Sequence, residues 1–364
     1  MNTSWLLPVP LKQDELFSTW VTRAALTQGC DPLVLTGHIW PEWPAWSRDL
    51  DRGLPDDYFL ELSKASGISV EDLKNSCLYQ TVKMITDQAL DKLTIWPWII
   101  AQGHRNKKYK TGLQYCSACL ADDHVPYYRK QWRFAWHVGC HTHNIKLNKH
   151  CWNCNIPVQP HRLEAEDKHL AICFNCKQDL RNAPQIKSSE NLLTFQNLTD
   201  SVIKSQSAYF GSKKISSHEW FALARFFLLL LNRAATQPKS NVATMIKMLG
   251  ISPKQLIISA TGLQIEMLPI EEREVLLSGI PHLLETKVEC FIEAIEFSST
   301  NRSTFYGIDK KIPESLKPII NKLPENPKIR NTVKDSNKSQ KPRSKRAVER
   351  MYARLQRKLP IKTS

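Results

Sequence analysis

The fold is decided by a stretch that reads CSACLADDHVPYYRKQWRFAWHVGCHTH, residues 116–143. It begins with two cysteines separated by two residues, and it ends with a cysteine and a histidine at the same spacing. Two intervening residues let one tight turn direct both side chains at a single ion. Twenty residues separate the two pairs, which is the interval after which a zinc finger supplies its second pair of ligands.

Two more pairs with this spacing follow along the chain, and eighteen residues separate them. Sequential pairing therefore predicts two zinc sites. A cross-brace of the RING type, which pairs the first with the third and the second with the fourth, is the alternative. The seven residues between His143 and Cys151 are more than a RING domain uses there. The predicted ligands are Cys116, Cys119, Cys140 and His143 in a Cys₃His site, and Cys151, Cys154, Cys173 and Cys176 in a Cys₄ site.

Each predicted site has four protein ligands, so no coordination position is left open for water. This is typical of structural zinc, and we expect two structural Zn²⁺ ions per chain. A nucleophile–base pair at Cys140 is the alternative, but it would leave three residues at metal spacing unused. The sequence also lacks phosphate-binding loops, the nucleophile elbow and the H-E-x-x-H motif. We therefore predict that the protein is not an enzyme.

The positive charge is concentrated at one end of the chain. The formal net charge is +15, and residues 326–364 contribute +11 of it, with thirteen Lys and Arg against Asp335 and Glu349. Clustered cations predict contact with nucleic-acid phosphates, whereas the alternative is a solvated charged tail. A shorter basic strip, HRNKKYK, spans residues 104–110. The candidate nucleic-acid contacts are Arg105, Lys107, Lys108 and Lys110 in the strip, and Arg343, Lys345, Arg346, Arg350, Arg354, Arg357 and Lys358 in the tail.

Helical patterns flank the cysteine-rich stretch on both sides. Near the start, Leu16, Trp20 and Ala24 share one face of a predicted helix. The tripeptide GIS occurs at residues 67–69 and 250–252, and each copy has a glycine to end one helix and a serine to cap the next. These units could be two helix-turn-helix motifs that bind DNA, or two ordinary helical hairpins.

The second GIS copy predicts a capped helix. Ser252 is its N-cap, Pro253 occupies the first helical position, and Gln255 is the capping-box partner.

Between the first two ligand pairs, aromatic and basic residues alternate. Tyr128, Trp132 and Trp136 recur at helical spacing, which favours packing against a neighbouring helix. Stacking on nucleic-acid bases is the alternative.

We predict a mainly α fold with small zinc-binding β and knuckle elements. A helical N-terminal domain spans residues 1–112, a double zinc-finger module 113–183, a helical C-terminal domain 184–325, and a basic, disordered tail 326–364. The opening residues do not read as a signal peptide, and the apolar run Phe226–Leu231 is too short to cross a bilayer. We expect a cytoplasmic protein that does not bind membranes and whose cysteines stay reduced.

Residues 112–155, GLQYCSACLADDHVPYYRKQWRFAWHVGCHTHNIKLNKHCWNCN, resemble the zinc-finger core of TniQ proteins, the group that includes the TnsD target selectors. The family pattern is, loosely, Y-C-P-x-C-L-x-x-D, then Y-x-R-x-x-W-R, C-x-x-H-x-x-x-L and C-x-x-C. Three further stretches resemble the family in the right order: PVPLKQDELFSTWVTRAA, WSRDLDRGLPDDYFLELSKASGIS and IEMLPIEEREVLLSGIPHLLE. The resemblance covers roughly residues 5–325.

The resemblance implies a role in bacterial DNA transposition. TniQ-like proteins select the insertion site and pass it to the transposon's AAA+ ATPase regulator, which activates the transposase. Some members read an attachment site in DNA. Others dock, often as a dimer, on an RNA-guided Cascade-type complex, and the sequence leaves both modes open. The family has no known active site. A zinc-containing helix-turn-helix transcription regulator is the alternative.

This sequence departs from the family at the ligand turns. The glycine that often follows a pair is replaced by Leu120, Asn144, Asn155 and Lys177. Asn tolerates a positive φ, whereas Leu and Lys do so poorly, which predicts less regular turns. His141 takes the place of the usual proline, and we predict that it points away from the metal.

Overall fold

The fold is mainly helical. The computed structural model describes residues 4–90, 94–102, 112–256 and 263–325. About 50 % of the structure is helical and strands are few, which confirms the predicted fold class at this level. The α-helices are α1 (Phe17–Thr27), α2 (Pro32–Ile39), α3 (Asp56–Ser66), α4 (Val70–Ser76), α5 (Tyr79–Lys83), α6 (Ser117–Asp122), α7 (Glu190–Ser205), α8 (Ser217–Thr236), α9 (Asn241–Met248), α10 (Ile270–Ser278), α11 (Ile280–Glu285), α12 (Val288–Phe297), α13 (Arg302–Tyr306) and α14 (Lys317–Ile320).

Short 3₁₀ turns and one hairpin complete the secondary structure of the described residues. Strands β1 (Ser207–Phe210) and β2 (Lys213–Ser216) pair antiparallel between α7 and α8. Gly211 has φ +58° in their turn. The 3₁₀ turns are Ala45–Ser47, Leu50–Arg52, Lys130–Arg133, Pro160–Arg162, Ala165–Asp167, Leu180–Asn182, Pro253–Gln255 and Ile265–Met267.

Helix α1 forms the centre of the N-terminal part. Its predicted apolar face is present, because Leu16, Trp20 and Ala24 are all buried. The helix also buries an ion pair, in which Arg23 lies 2.6 Å from Glu15.

The first GIS hairpin forms as its sequence predicts. Helix α3 ends at Gly67, whose φ of +74° is the left-handed conformation that favours glycine. Ser69 then caps α4 by accepting a hydrogen bond of 3.0 Å from the backbone N–H of Asp72.

The second GIS hairpin differs from its prediction. Helix α9 ends before Gly250, which has φ +86°. The chain then makes only the three-residue 3₁₀ turn Pro253–Gln255, and the Ser252 side chain makes no capping hydrogen bond. Leu256, which is buried, leaves the helical conformation at the end of this turn. The predicted capped helix is therefore absent from residues 253–256.

Buried arginines join the cysteine-rich segment to the helices on both sides. Arg133 contacts both carboxylates Asp49 and Asp51. Arg273 of α10 donates to the carbonyl of Ala135 at 2.8 Å and to the side chain of Gln114. The hydrogen bonds of these two buried guanidinium groups form only when all the segments are packed together, so they determine how the segments pack.

The described residues up to Glu325 belong to one compact unit. Within it, rings of the cysteine-rich segment pack on α8, and the ring centroids of Trp136 and Phe221 are 5.4 Å apart. The predicted boundaries at 112/113 and 183/184 stay predictions.

The Gln196 side chain and a backbone bridge hold the segment that carries Cys140, the third predicted ligand. Gln196 of α7 accepts hydrogen bonds of 2.8 Å from the N–H groups of Val138 and Gly139. Farther on, Ile145 forms an antiparallel bridge with Lys187. The chain that returns from the second ligand group thus pairs with the chain that leaves the first.

No helix among the described residues is long and apolar enough to span a membrane. The apolar run of α8 lies in the core instead, where Phe227, Leu230 and Leu231 are buried.

Candidate metal centres

The first predicted ligand set comes together at one point. Cys116 is the N-cap of α6 and Cys119 lies inside that helix. Cys140 and His143 reach them from the turn that Gln196 holds in place. The His143 Nδ1 atom lies 3.6, 3.3 and 3.5 Å from the sulfurs of Cys116, Cys119 and Cys140, respectively. The Cys119 and Cys140 sulfurs are 3.5 Å apart.

The second predicted set also converges. The sulfurs of Cys151 and Cys176 are 3.5 Å apart, and those of Cys154 and Cys173 are 3.7 Å apart. All ligand atoms of a set lie within 4.8 Å of one another. The grouping is the sequential one, and the cross-brace alternative is wrong for this structure.

Both groups have dimensions that suit zinc. Tetrahedral zinc with bonds of about 2.3 Å to sulfur and about 2.0 Å to nitrogen separates two sulfurs by about 3.8 Å. It separates a sulfur from a nitrogen by about 3.6 Å. The observed separations, 3.3–3.7 Å, lie close to these values. Each group could therefore hold one metal ion without rearrangement of the backbone.

The residues 6–147 match the model of the TniQ family. The chain is therefore similar to the TniQ family over these residues, here called the TniQ segment. The match includes all four residues of the first group and ends four residues before Cys151, so the second group lies outside it. None of the curated proteins matches the chain.

Three of the four ligand pairs use the same turn, one of them inside the TniQ segment. The first cysteine of each pair accepts a hydrogen bond from a residue with positive φ four positions later, at 2.8–2.9 Å. These residues are Asn144, Asn155 and Lys177, with φ values of +54°, +54° and +57°. The expectation that Lys177 would make its turn irregular is wrong, and its side chain pairs with Glu164 and Asp167.

The first pair of the TniQ segment is built differently. After Cys116 the chain continues into α6, so Leu120 is helical and needs no positive φ. Leu120 is buried and packs in the core, a position that glycine could not fill. Its departure from the family glycine therefore reflects a helix in place of a knuckle turn.

Electrostatics within each group favour a bound cation. In the first group, hydrogen bonds with Cys116 and Cys119 lower the pKa of Cys140 far below its usual range, and hydrogen bonds with Cys116 and Cys140 raise that of Cys119. In the second, burial raises the pKa of Cys173 to about 12. When one thiol of a group is ionised, its neighbours are therefore held in the protonated form. A divalent cation removes this restriction by stabilising every thiolate.

The two histidines of the TniQ turn have separate partners. The Nε2–H group of His143 donates to Asp122 at 2.7 Å, while its Nδ1 atom faces the sulfurs. The His141 ring instead lies 3.2 Å from Gln131 and belongs to neither metal group. The prediction that His141 points away from the ligands agrees with this geometry.

The aromatic stretch of the TniQ segment serves the core. Tyr128, Trp132 and Trp136 are all buried, as the packing interpretation expects. They do not lie on one helix, however, because only the 3₁₀ turn Lys130–Arg133 forms there. A buried ring cannot stack on a nucleic-acid base without unfolding its surroundings.

Sequence reasoning missed two features of this site. The Arg133 contacts with Asp49 and Asp51 join residues more than 80 positions apart, and no local pattern signals them. Asp122 could have been found, because it lies three residues after Cys119 and so on the same helical face.

The candidate nucleic-acid contacts of the basic strip and the basic tail lie outside the described residues. All eleven therefore stay predictions.

Proposed function

We propose that this protein is an adaptor for target-site selection in DNA transposition. It links a target DNA, or an RNA-guided Cascade-type complex, to the AAA+ ATPase regulator and through it to the transposase. The match of residues 6–147 to TniQ carries this proposal, because the family is transposition-associated and non-catalytic. The same match favours transposition over a transcription regulator. We propose that the protein acts in the bacterial cytoplasm.

We also propose that each ligand group binds one Zn²⁺. Sulfur-rich sets with one or no histidine suit zinc, and four protein ligands leave no position for a reactive water. Zinc would act here as a cross-link between chain segments. The surfaces that these segments hold in place would then bind the partners.

Contact with DNA is assigned in this proposal to the basic strip and the basic tail. Neutralising about six phosphates would make the affinity fall steeply with salt. Deletion of residues 326–364 should therefore reduce the slope of log affinity against log salt for a non-specific duplex. An unchanged slope would remove the tail from the interface.

The partner proposal is tested by a pull-down with the full chain as bait. The probes are the AAA+ ATPase and the Cascade-type complex encoded beside it. Retention of the ATPase supports the adaptor role, and retention of Cascade in addition supports RNA-guided targeting. Cross-linking of the bait alone tests for a homodimer. The proposal fails if neither partner is retained and deletion of the gene leaves transposition frequency and target choice unchanged.

A further inference from the structure

The first ligand group consists of three buried thiols and one partly exposed imidazole. The thiols of Cys116, Cys119 and Cys140 are buried in the core. The side chain of His143 is 21 % exposed, and that of Asp122, which contacts it, is 69 % exposed. Among the described residues, the exposed side of this group is therefore the side of His143 and Asp122.

The state of the imidazole determines whether His143 can bind a metal. The Nδ1 atom faces the three sulfurs, so its lone pair must be free and the proton must sit on Nε2. The Asp122 carboxylate accepts that Nε2–H at 2.7 Å. A carboxylate in this position fixes the tautomer and the ring orientation, and it makes the ligand nitrogen more electron-rich.

His143 is the partner of the Asp122 carboxylate. Asp122 forms no further hydrogen bond or ion pair with a described side chain, whereas the adjacent Asp123 forms two hydrogen bonds of 2.6 and 2.7 Å with Arg129. Asp122 is also the last residue of α6, where a negative charge gains nothing from the helix dipole. Because α6 carries Cys119 as well, one helical turn presents a ligand to the metal and an acceptor to the opposite ligand.

We infer that Asp122 is a positioning residue that holds His143 on the metal and thereby controls how fast the first centre exchanges its zinc. The inference rests on the proposal that this group binds zinc. Asp122 itself does not contact the metal. Loss of its carboxylate should loosen the only exposed ligand, whereas the three buried thiolates should still hold their positions.

The test measures zinc release from the full chain to a chromogenic chelator. In Asp122→Ala, one of the two zinc ions should leave about tenfold faster or more, because loss of a carboxylate that supports a metal-bound histidine typically lowers metal affinity by about 10–100-fold. Asp122→Asn should have a smaller effect, because an amide oxygen still accepts from Nε2–H but carries no charge. The matched control is Glu166→Gln, which removes one exposed charge from the stretch between the two cysteine pairs of the second group. Its release rates should equal those of the wild type.

Asp122→Ala in a Cys176→Ser background shows which centre releases zinc faster, because only the first centre then holds zinc. Far-UV circular dichroism of the loaded variants should be unchanged, which separates positioning from a general loss of structure. If the wild type holds two zinc ions and both Asp122 variants release them at its rate, the role of Asp122 is wrong. If the wild type holds fewer than two, the zinc proposal itself fails, and this inference with it.

Discussion

The two ligand groups have the same size and similar turns, yet they are embedded differently. In the first, all three cysteines are buried, and the connection between its pairs carries Arg133 to the buried carboxylates. In the second, Cys154 and Cys176 are partly exposed, and the nearby cation Lys177 pairs at the surface. The difference indicates that the first group is embedded more deeply in the core than the second, although Cys151 and Cys173 of the second group also pack there.

The largest expected difference between the groups concerns loss of a ligand. Cys140→Ser should remove one zinc and lower the free energy of unfolding by more than about 4 kcal/mol, because it also leaves polar groups unsatisfied in the core. Cys176→Ser should remove one zinc at a lower cost of about 2 kcal/mol, because its site reaches solvent. Metal analysis and chemical denaturation measure both. Equal losses of stability would contradict the comparison.

The next prediction compares the two cations. Arg133→Met should destabilise the protein by about 3–5 kcal/mol, because Asp51 would remain buried without its partner. Lys177→Met should cost less than about 1 kcal/mol, because Lys177 and Glu164 are exposed and the more buried Asp167 keeps its hydrogen bond from the Glu164 N–H group. Urea denaturation of both variants provides the measurement. A Lys177 variant as unstable as the Arg133 variant would show that the second group is anchored just as deeply.

A pH dependence is expected where the second group's loop meets the N-terminal part. His161 stacks on Trp46 at 5.2 Å, and burial lowers its pKa to about 4 from an ordinary 6.5. Between these values the unfolded chain binds more protons than the folded one. Stability should therefore fall as pH decreases from 6.5 to 4, by up to about 3 kcal/mol in total.

His161→Phe keeps an aromatic ring at this position and removes the titratable imidazole. Its stability should depend less on pH than that of the wild type between pH 6.5 and 5, where the comparison is made at equal zinc content. Identical profiles for the two proteins would show that His161 does not contribute.

The smallest expected effect concerns the left-handed residue of the second group. Lys177→Gly relieves a conformation that costs an L-residue about 1–2 kcal/mol, but it loses the ion pairs with Glu164 and Asp167 and adds chain entropy to the unfolded state. The net change should be a stabilisation of no more than about 1 kcal/mol by thermal denaturation. A clear destabilisation would mean that the pairs with Glu164 and Asp167 matter more than their exposure indicates.

Local chemistry made much of this site predictable. The spacing of two selected all eight residues that converge in the two groups and preferred His143 to His141, and the glycine and serine of the first GIS copy located a real helix boundary. These features depend on residues within four positions of one another. A short segment therefore contains all the information that they require.

The features that were missed depend on residues far apart in the chain. The second GIS copy has the same capping residues, but Leu256 enters the core and the helix does not continue within the described residues. The contact between Arg273 and Gln114 joins positions 159 residues apart. Competition between local preference and packing is decided by such contacts, which a single sequence does not display.

The bridge between Ile145 and Lys187 gives the second group a property of its own. The bridge joins the two ends of the forty or so residues between these positions, which therefore form a loop with closed ends. An insertion at an exposed position of this loop would not separate the segments that precede and follow it, because the bridge holds them together. The TniQ match stops at residue 147, two positions beyond Ile145. The TniQ segment thus ends where this loop begins.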